Sequence, residues 1–558
     1  MRVPIFPVSF SKPRQRRVLT LVVAGVLALG IIRLLSSSQQ LQLTAVDDPN
    51  DPTPIAALAS KPCPVKAADY DYSAAAIRCR IESALARARF LSDPESQSST
   101  AEEAIAEYKR RYNRDPPDGF TKWVEFALEH GSKVIDDFDQ IERDLEPYRT
   151  PEARRVMRML KEQYKKECHY DGAICIAIKD GEMSSTSGYM YDNEWVRLVQ
   201  PFVGNISEGL FLLSTIDEPR ILSTSGPPPK WIQFRDRSGL SIEDLVKDSC
   251  SQIPREITGR LGREKDVCEF SHPGDFHGLV AAPSRLLYTH SPVPMMSFGR
   301  LSAFRDILMP CPCYAAHPFS LDDTPFLNKK PALYWRGSST GGWADQFSWQ
   351  NGHRERFVMF IQSLRNAAST LDASRYFGVK MDNAEKKKIE LFKYGMDVHM
   401  GSYIQCEEEA CKDMERIIGA SDVEPEDTDG NYRYLFDIDG NSMSTRFYRL
   451  LSQQAVVLKA TWFHEWHDDR LIPWAHYIPI TMAMEEFPEV MDFLVNDPDG
   501  QRLSAEIAHH GSTWSQNVLR EVDMSIYLYR LLLEMTELAQ AADLPDDMDL
   551  PNNMDSGH

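Results

Sequence analysis

Residues 432–459, YRYLFDIDGNSMSTRFYRLLSQQAVVLK, constrain the fold more than any other stretch of the chain. Tyr434, Leu435 and Phe436 make an apolar run short enough for a buried strand, and residues 437–444 supply turn chemistry. Phe447, Leu450 and Leu451 then recur at helical spacing, and residues 455–458 restart a β-branched run. Strand, polar loop, helix and strand in that order predict a βαβ unit and hence a parallel sheet. Such a unit aims the unpaired N–H groups of its helix start at the mouth of the sheet, where an anion can bind. Ser444 and Arg446 stand at that point, and an arginine adds a fork of donors matched to phosphate. An ordinary βαβ unit with a surface arginine fits the same residues.

At 558 residues the chain is too long for one core. Its net charge of -20 argues against a nucleic-acid partner, which needs clustered Lys and Arg, but leaves room for a small anionic ligand. Arg14, Arg16 and Arg17 precede an apolar run over residues 18–35, broken only by Arg33, which can snorkel to the far interface. This pattern predicts a cytoplasmic tail over residues 1–17, a single-pass type II signal anchor and a lumenal remainder. A cleaved signal peptide is the rival reading. The short span suits the thinner membranes of the Golgi or endoplasmic reticulum. All ten cysteines lie beyond the run, so each would be lumenal, and disulfides are expected. Cys168–Cys175, Cys250–Cys268 and Cys406–Cys411 are the local pairings considered. Cys311-Pro-Cys313 reads as structural. Asn205-Ile206-Ser207 is an N-glycosylation sequon.

Residues 36–76 read as a flexible stem. An N-terminal helical region and a first α/β domain are expected over 77–325, with amphipathic stripes at 103–112, 120–130 and 154–166 and strands at 172–178 and 210–215. A second α/β domain is expected over 326–542. It opens on a strand at 332–335 and continues with a helix at 353–367, a strand near Val398 and a helix at 406–419. The segment discussed first follows, then closing helices at 503–511 and 514–540. The acidic residues 543–558 read as disordered. The alternation argues for an α/β class with parallel sheet.

Three constellations can carry chemistry. The run YWRGSSTGG, residues 334–342, takes a strand into a loop of small hydroxyl and glycine residues, with Arg336 at its lip. His353-Arg354-Glu355-Arg356 follows, although a helical run of charge is usually a solvated face. Asp437-Ile438-Asp439 has the look of a metal-binding DxD, but Asp in a strand-to-helix loop commonly serves turns and caps. Asp217, at the end of the 210–215 strand, stands where a general base would be placed, although a turn stabilised by Asp and Pro fits the same residues equally well. His464-Glu465-Trp466-His467 is not a zinc HExxH and reads as a surface or substrate-proximal loop.

Together, IDEPRI, DILMP, LYWRGSSTGG with HRERF, YLFDIDGNSMSTRFYRLL, VVLKATWFHEW and LIPWAHYIPI resemble the capsule-associated glycosyltransferases of family 90 over roughly residues 204–538. That family includes Rumi-like protein O-glucosyltransferases and fungal β-1,2-xylosyltransferases, and FHEW and IPWAHY are closer to the fungal branch. The resemblance implies a GT-B architecture, two Rossmann-like domains facing a cleft, with donor bound mainly by the C-terminal one. It implies Asp217 as the catalytic base and Arg336, Gly337, Ser338, Arg354, Ser444, Arg446 and Phe447 as the donor pocket. It further implies a UDP-sugar donor and no tightly bound metal, with stimulation by Mn2+ or Mg2+ left open. The expected reaction is inverting transfer of xylose or glucose to a glycan hydroxyl in the secretory pathway. Protein O-glucosylation or O-xylosylation is the alternative within the enzyme class, and a non-catalytic glycan-binding relative the alternative outside it.

Overall fold

A computed structural model describes residues 71–164, 171–185, 190–223, 232–253, 263–316, 322, 324–365 and 395–543. The expected anchor over residues 18–35, and the acidic tail beyond Asp543, lie outside these. Among the described residues no helix is long and apolar enough to cross a membrane.

The first half opens with helices α1 (Ala74–Leu91), α2 (Ala101–Tyr112), α3 (Phe120–Glu129), α4 (Asp139–Leu145) and α5 (Pro151–Tyr164). Ser73 and Thr100 cap α1 and α2 by accepting from backbone N–H groups of the first turn, which is why the chain turns helical at those points. Strands β1 (Ala173–Lys179), β2 (Glu182–Ser185) and β3 (Gly209–Ser214) follow, with helix α6 (Asp192–Val199) between the last two. Then come β4 (Met295–Ser297) and β5 (Ile307–Leu308). They form one sheet in the order β2-β1-β3-β4-β5. β3, β4 and β5 are parallel, but β1 pairs antiparallel with both its neighbours. The sheet is therefore mixed, and it departs at that edge from the Rossmann-like domain expected for this half.

The second half is fully parallel. Strands β6 (Lys330–Ser338), β7 (Met396–Ser402), β8 (Tyr432–Ile438), β9 (Val456–Ala460) and β10 (Ile478–Ile480) lie in the order β7-β6-β8-β9-β10. Helices α7 (His353–Arg365), α8 (Glu408–Ile418) and α9 (Phe447–Ser452) connect them. β9 is buried along its whole length, as a strand covered on both faces must be. The chain runs from β6 outward to β7 and then crosses back past β6 to β8. The strand order reverses between β6 and β8, the position where a doubly wound sheet takes its ligand.

The chain ends exchange between halves. Helices α10 (Phe487–Asn496) and α11 (Pro498–Val518) pack against α1, whereas α12 (Glu521–Ala542) packs on α3, α5, α6 and β3. Trp123 in α3 donates its indole N–H to the Ile526 carbonyl of α12 at 2.9 Å. The boundary expected at residue 326 therefore divides the sheets but not the closing helices, because α12 is buried on nearly every face and needs both layers.

The C-terminal ends of the parallel strands of both sheets face one another. Arg300, after β4, and His464, after β9, exchange backbone hydrogen bonds of 3.2 and 2.8 Å. The helical turn Gly278–Ala281 meets the loop after β6, where a Cβ on Gly278 would lie 2.0 Å from the Gly341 carbonyl oxygen. Gly278→Ala is therefore expected to destabilise the protein by about 1–3 kcal/mol, the cost of overpacking. Chemical denaturation checks this, and an unchanged midpoint would show the two segments free to separate.

Candidate active site

The loops ending β6 and β8 meet over one guanidinium. Arg354, in the first turn of α7, donates Nε–H to the Asp439 carbonyl at 2.7 Å. Its Nη1 donates to the Ser338 carbonyl at 3.0 Å and to Thr340 Oγ1 at 2.6 Å. His353 Nε2 lies 2.8 Å from the same Asp439 carbonyl. The run 353–356, expected as a solvated face, is buried throughout. His353, Arg354 and Arg356 find backbone carbonyls in place of water, Arg356 those of Phe276 and Met482. Burial, and then the nearby Arg446 guanidinium, lowers the pKa of Arg354 to about 9, still protonated at neutral pH.

The loop after β8 carries the other polar groups. Ser442 and Ser444 are buried with no hydrogen-bond partner for either hydroxyl, and Arg446 Nη2 is likewise unpartnered. Arg446 Nη1 donates to the Arg336 carbonyl, and its guanidinium lies 5.7 Å from the Trp335 ring centre. Helix α9 has only six residues, so the anion argument passes from its dipole to these side chains.

Other expected donor residues stand differently. The Arg336 guanidinium faces away from this loop, paired with Asp397 at 2.7 Å and Asp422 at 2.8 Å, so only its backbone carbonyl reaches Arg446. Arg354 is likewise committed to the two loops. Phe447 is fully buried, its ring under the Lys459 ammonium at 3.9 Å, and acts in the core. Gly337 and Ser338 do end β6 at the crevice. Asn205 is exposed at the end of a 3-10 turn, open to modification.

Asp437 and Asp439 are both fully buried and engaged within the chain. Asp437 Oδ2 accepts from Lys459 at 2.8 Å, a pair in register across β8 and β9. Asp439 Oδ2 accepts from the Trp462 N–H at 2.9 Å. Among the described residues no group of three or more His, Cys, Asp or Glu is placed to hold a metal ion. The 464–467 segment, expected as a surface or substrate-proximal loop, is buried rather than on the surface: Glu465 accepts from Tyr314 at 2.6 Å, and Tyr448 lies 3.0 Å from His467 Nδ1. Tyr314 also stacks on Tyr448 at 3.8 Å, so the segment containing the Cys311–Cys313 disulfide props α9 from below. Cys250–Cys268 and Cys406–Cys411 are disulfides, as considered from sequence. Cys175 is disulfide-bonded too, while Cys168 lies outside the described residues.

Asp217 follows β3, on the facing sheet. Its neighbours are structural: the Arg220 N–H donates to Asp306, and Glu218 accepts from Ser284 and from the Arg285 N–H. Asp217 alone of this cluster is exposed, yet protein surrounds it on most sides, the combination a cleft produces. That burial raises its carboxyl above the ordinary range, an effect that the Asn441 side chain of the β8 loop opposes. Sequence reasoning passed over Asn441, Thr340, Ser442 and Lys459, because each is ordinary for a turn or a strand until the two loops are brought together.

Glu355 lies beneath the β6 loop, with Oε1 unpartnered and its pKa raised by burial to about 8. Its unfolded-state value is 4.5, so the unfolded chain ionises first as pH rises. Stability is then complete below about pH 4.5 and declines until the folded carboxyl ionises near 8, by at most about 1.4 kcal/mol per pH unit. Glu355→Gln should flatten the fall in melting temperature between pH 5 and 8. A wild-type slope in that variant would place the titration elsewhere.

Comparison with known proteins agrees with the chemistry of these loops. Residues 381–548 match the model of "Glycosyl transferase family 90". The chain is 31% identical over 321 residues to human "Protein O-glucosyltransferase 1", covering 52% of this chain and 68% of that protein. It is 32% identical over 273 residues to the rat protein of the same name, covering 44% and 57%. Over 124 residues it is 30% identical to "O-glucosyltransferase rumi" of Drosophila melanogaster, covering 21% and 28%.

Proposed function

The chain belongs to glycosyltransferase family 90, and on that premise we propose that it transfers a sugar from a UDP-sugar to an acceptor hydroxyl with inversion at the anomeric carbon. The loop after β8 carries this reading. Ser442, Ser444 and Arg446 each hold a polar atom with no partner in the protein, at the crevice where a doubly wound sheet takes its ligand. A buried polar group left unmatched costs about 1–3 kcal/mol. A diphosphate offers the acceptor oxygens that these donors lack.

In the proposed step Asp217 takes the proton of the acceptor hydroxyl as that oxygen bonds to the anomeric carbon. The bond from that carbon to the diphosphate oxygen breaks, and its electron pair leaves with UDP. Arg446 and Ser444 offset the charge growing on the leaving group. Asp217 suits the base because it is accessible from the cleft and its carboxyl is raised toward neutrality, which strengthens it as a proton acceptor. The facing strand ends support a GT-B arrangement, with donor on the parallel sheet and acceptor approaching from the Asp217 side.

For sugar and acceptor, the sequence reading places xylose and a glycan first. The protein O-glucosyltransferase relatives support the alternative, glucose placed on a protein hydroxyl. UDP release from a panel of UDP-sugars, with glycan and protein acceptors, separates the two. Action in the Golgi or endoplasmic reticulum lumen, behind a type II anchor at residues 18–35, completes the proposal. The disulfides Cys250–Cys268 and Cys406–Cys411 suit such a compartment.

Asp217→Asn is expected to abolish most transfer while the Kd for UDP stays within a few-fold. Equal loss of both would assign Asp217 to donor binding or to folding. Arg446→Ala should weaken UDP binding by about 1.5–3 kcal/mol, the scale of a charge-assisted hydrogen bond. Calorimetry showing unchanged UDP affinity would move the diphosphate elsewhere.

A further inference from the structure

Two aromatic rings stand in water on the loop after β6. Trp343 is 44% exposed and Phe347 91%, and these are the only exposed aromatic side chains among those described. They lie four residues apart in GGWADQFSWQN, residues 341–351. Leaving both in water forgoes hydrophobic burial, and clustered exposure of this kind marks a binding surface.

The rings are displayed on a fixed frame. Ser339 Oγ donates to the Ile404 carbonyl at 2.8 Å and accepts from the Ile404 N–H at 2.7 Å. Ala344 N–H donates to the Gln405 carbonyl, and the Ala344 carbonyl accepts from the Glu407 N–H, both at 2.9 Å. The Cys406–Cys411 disulfide closes that neighbouring segment. Asp345 Oδ1 accepts from the Phe347 and Ser348 N–H groups at 2.8 and 2.7 Å, so a side-chain turn presents Phe347. Trp349, two residues on, is buried and anchors the end of the turn. Rings held this way lose little freedom when a ligand binds.

The same frame sets the loop near the base. Trp343 N–H donates to the Ala282 carbonyl of the first half at 2.6 Å. Further along that segment Ser284 Oγ and Arg285 N–H donate to Glu218, the neighbour of Asp217. Three residues of chain, from 282 to 285, span at most about 11 Å. Trp343 is thus joined to the surroundings of the base by one short stretch of backbone.

The chemistry around the rings suits sugar. A pyranose carries C–H groups on its faces and hydroxyls at its rim. The electron-rich face of an aromatic ring meets the C–H groups. Gln346 and Gln350, both exposed beside the rings, offer donors and acceptors to hydroxyls. Two rings make too small a patch for a stable protein interface, which takes about 800 Å² per partner.

We propose that Trp343 and Phe347 form an acceptor platform, on which units of an oligosaccharide stack while another unit presents its hydroxyl to Asp217. Such a platform presupposes the proposed transfer reaction with Asp217 as base, and it makes the acceptor an oligosaccharide rather than a single sugar or a folded protein.

Saturation-transfer NMR on the full-length protein reads the platform directly, with the methyl glycosides of xylose, mannose and glucose and the matching oligosaccharides as probes. Oligosaccharides should receive saturation from aromatic protons, single sugars much less, and Phe347→Ala should lose most of the difference. In kinetics, Phe347→Ala and Trp343→Ala should each lower kcat/KM for oligosaccharide over single-sugar acceptors about tenfold, carried by KM. The Kd for UDP should stay within about twofold. Phe347→Trp should restore the preference, and Phe347→Leu, apolar but without a ring, should not.

Absence of saturation transfer to every probe oligosaccharide overturns the platform, as does a wild-type preference in Phe347→Ala. A raised Kd for UDP in Phe347→Ala would make the rings a donor cover, and a KM rise confined to protein acceptors would make them a protein-docking surface. Either result overturns the proposal. UDP bound and released with no oligosaccharide saturation removes the platform alone. A protein that releases no UDP from any UDP-sugar loses the transfer reaction, while oligosaccharide saturation still decides whether the rings bind sugar. Should Trp343→Ala fail to fold, the exposed Phe347 series decides by itself.

Discussion

The two loops of the cleft exist in their present form because one buried guanidinium joins them. Strands β6 and β8 end at a point of reversed connection, and nothing in the sheet itself holds their last carbonyls together. Arg354 does so, bonding Ser338 and Thr340 of one loop and Asp439 of the other. Burial makes this costly, and the neighbouring Arg446 adds repulsion. The Glu355, Asp437 and Asp439 carboxyl groups offset part of that repulsion, and an anion at the crevice would add to them. A bound diphosphate would relieve that repulsion and satisfy the orphaned donors of the β8 loop together.

Below the loops a second layer keeps them in register. Asp437 and Lys459 pair across adjacent strands, Lys459 covers the Phe447 ring, and Glu465, Tyr314, Tyr448 and His467 continue the network under α9. These groups are all buried, which favours partners inside the protein. The loop geometry above them therefore depends on a polar core rather than an apolar one. Breaking a pair such as Asp437–Lys459 leaves a buried charge uncompensated.

Much of this was readable from local pattern. The βαβ unit at 432–459, the strand opening the second half and the helices of the first all have period and length that short-range chemistry dictates. The position of Asp217 at a strand end was readable for the same reason. Less accessible were features set by tertiary packing. Charge runs such as 353–356 and 464–467 look solvent-facing because sequence shows their charge and not the carbonyls, aromatic rings and carboxylates that replace water. Arg336 and Phe447 lie in the quoted motifs, yet the first turns to Asp397 and Asp422 and the second packs under Lys459. The direction of a side chain at a strand or helix end depends on neighbours far away in sequence. The antiparallel edge of the first sheet carries a local signal that went unread, the Asp180-Gly181 turn between β1 and β2 with both residues at positive φ.

In the proposed complex the β8 loop holds a diphosphate while a base waits across the cleft. A crystal structure of the UDP complex tests this most directly. Diphosphate oxygens are expected within hydrogen-bonding distance of Ser444 Oγ and Arg446 Nη2, with Asp217 across the cleft and open to an acceptor. Electron density placing the diphosphate away from both Ser444 and Arg446 would contradict it.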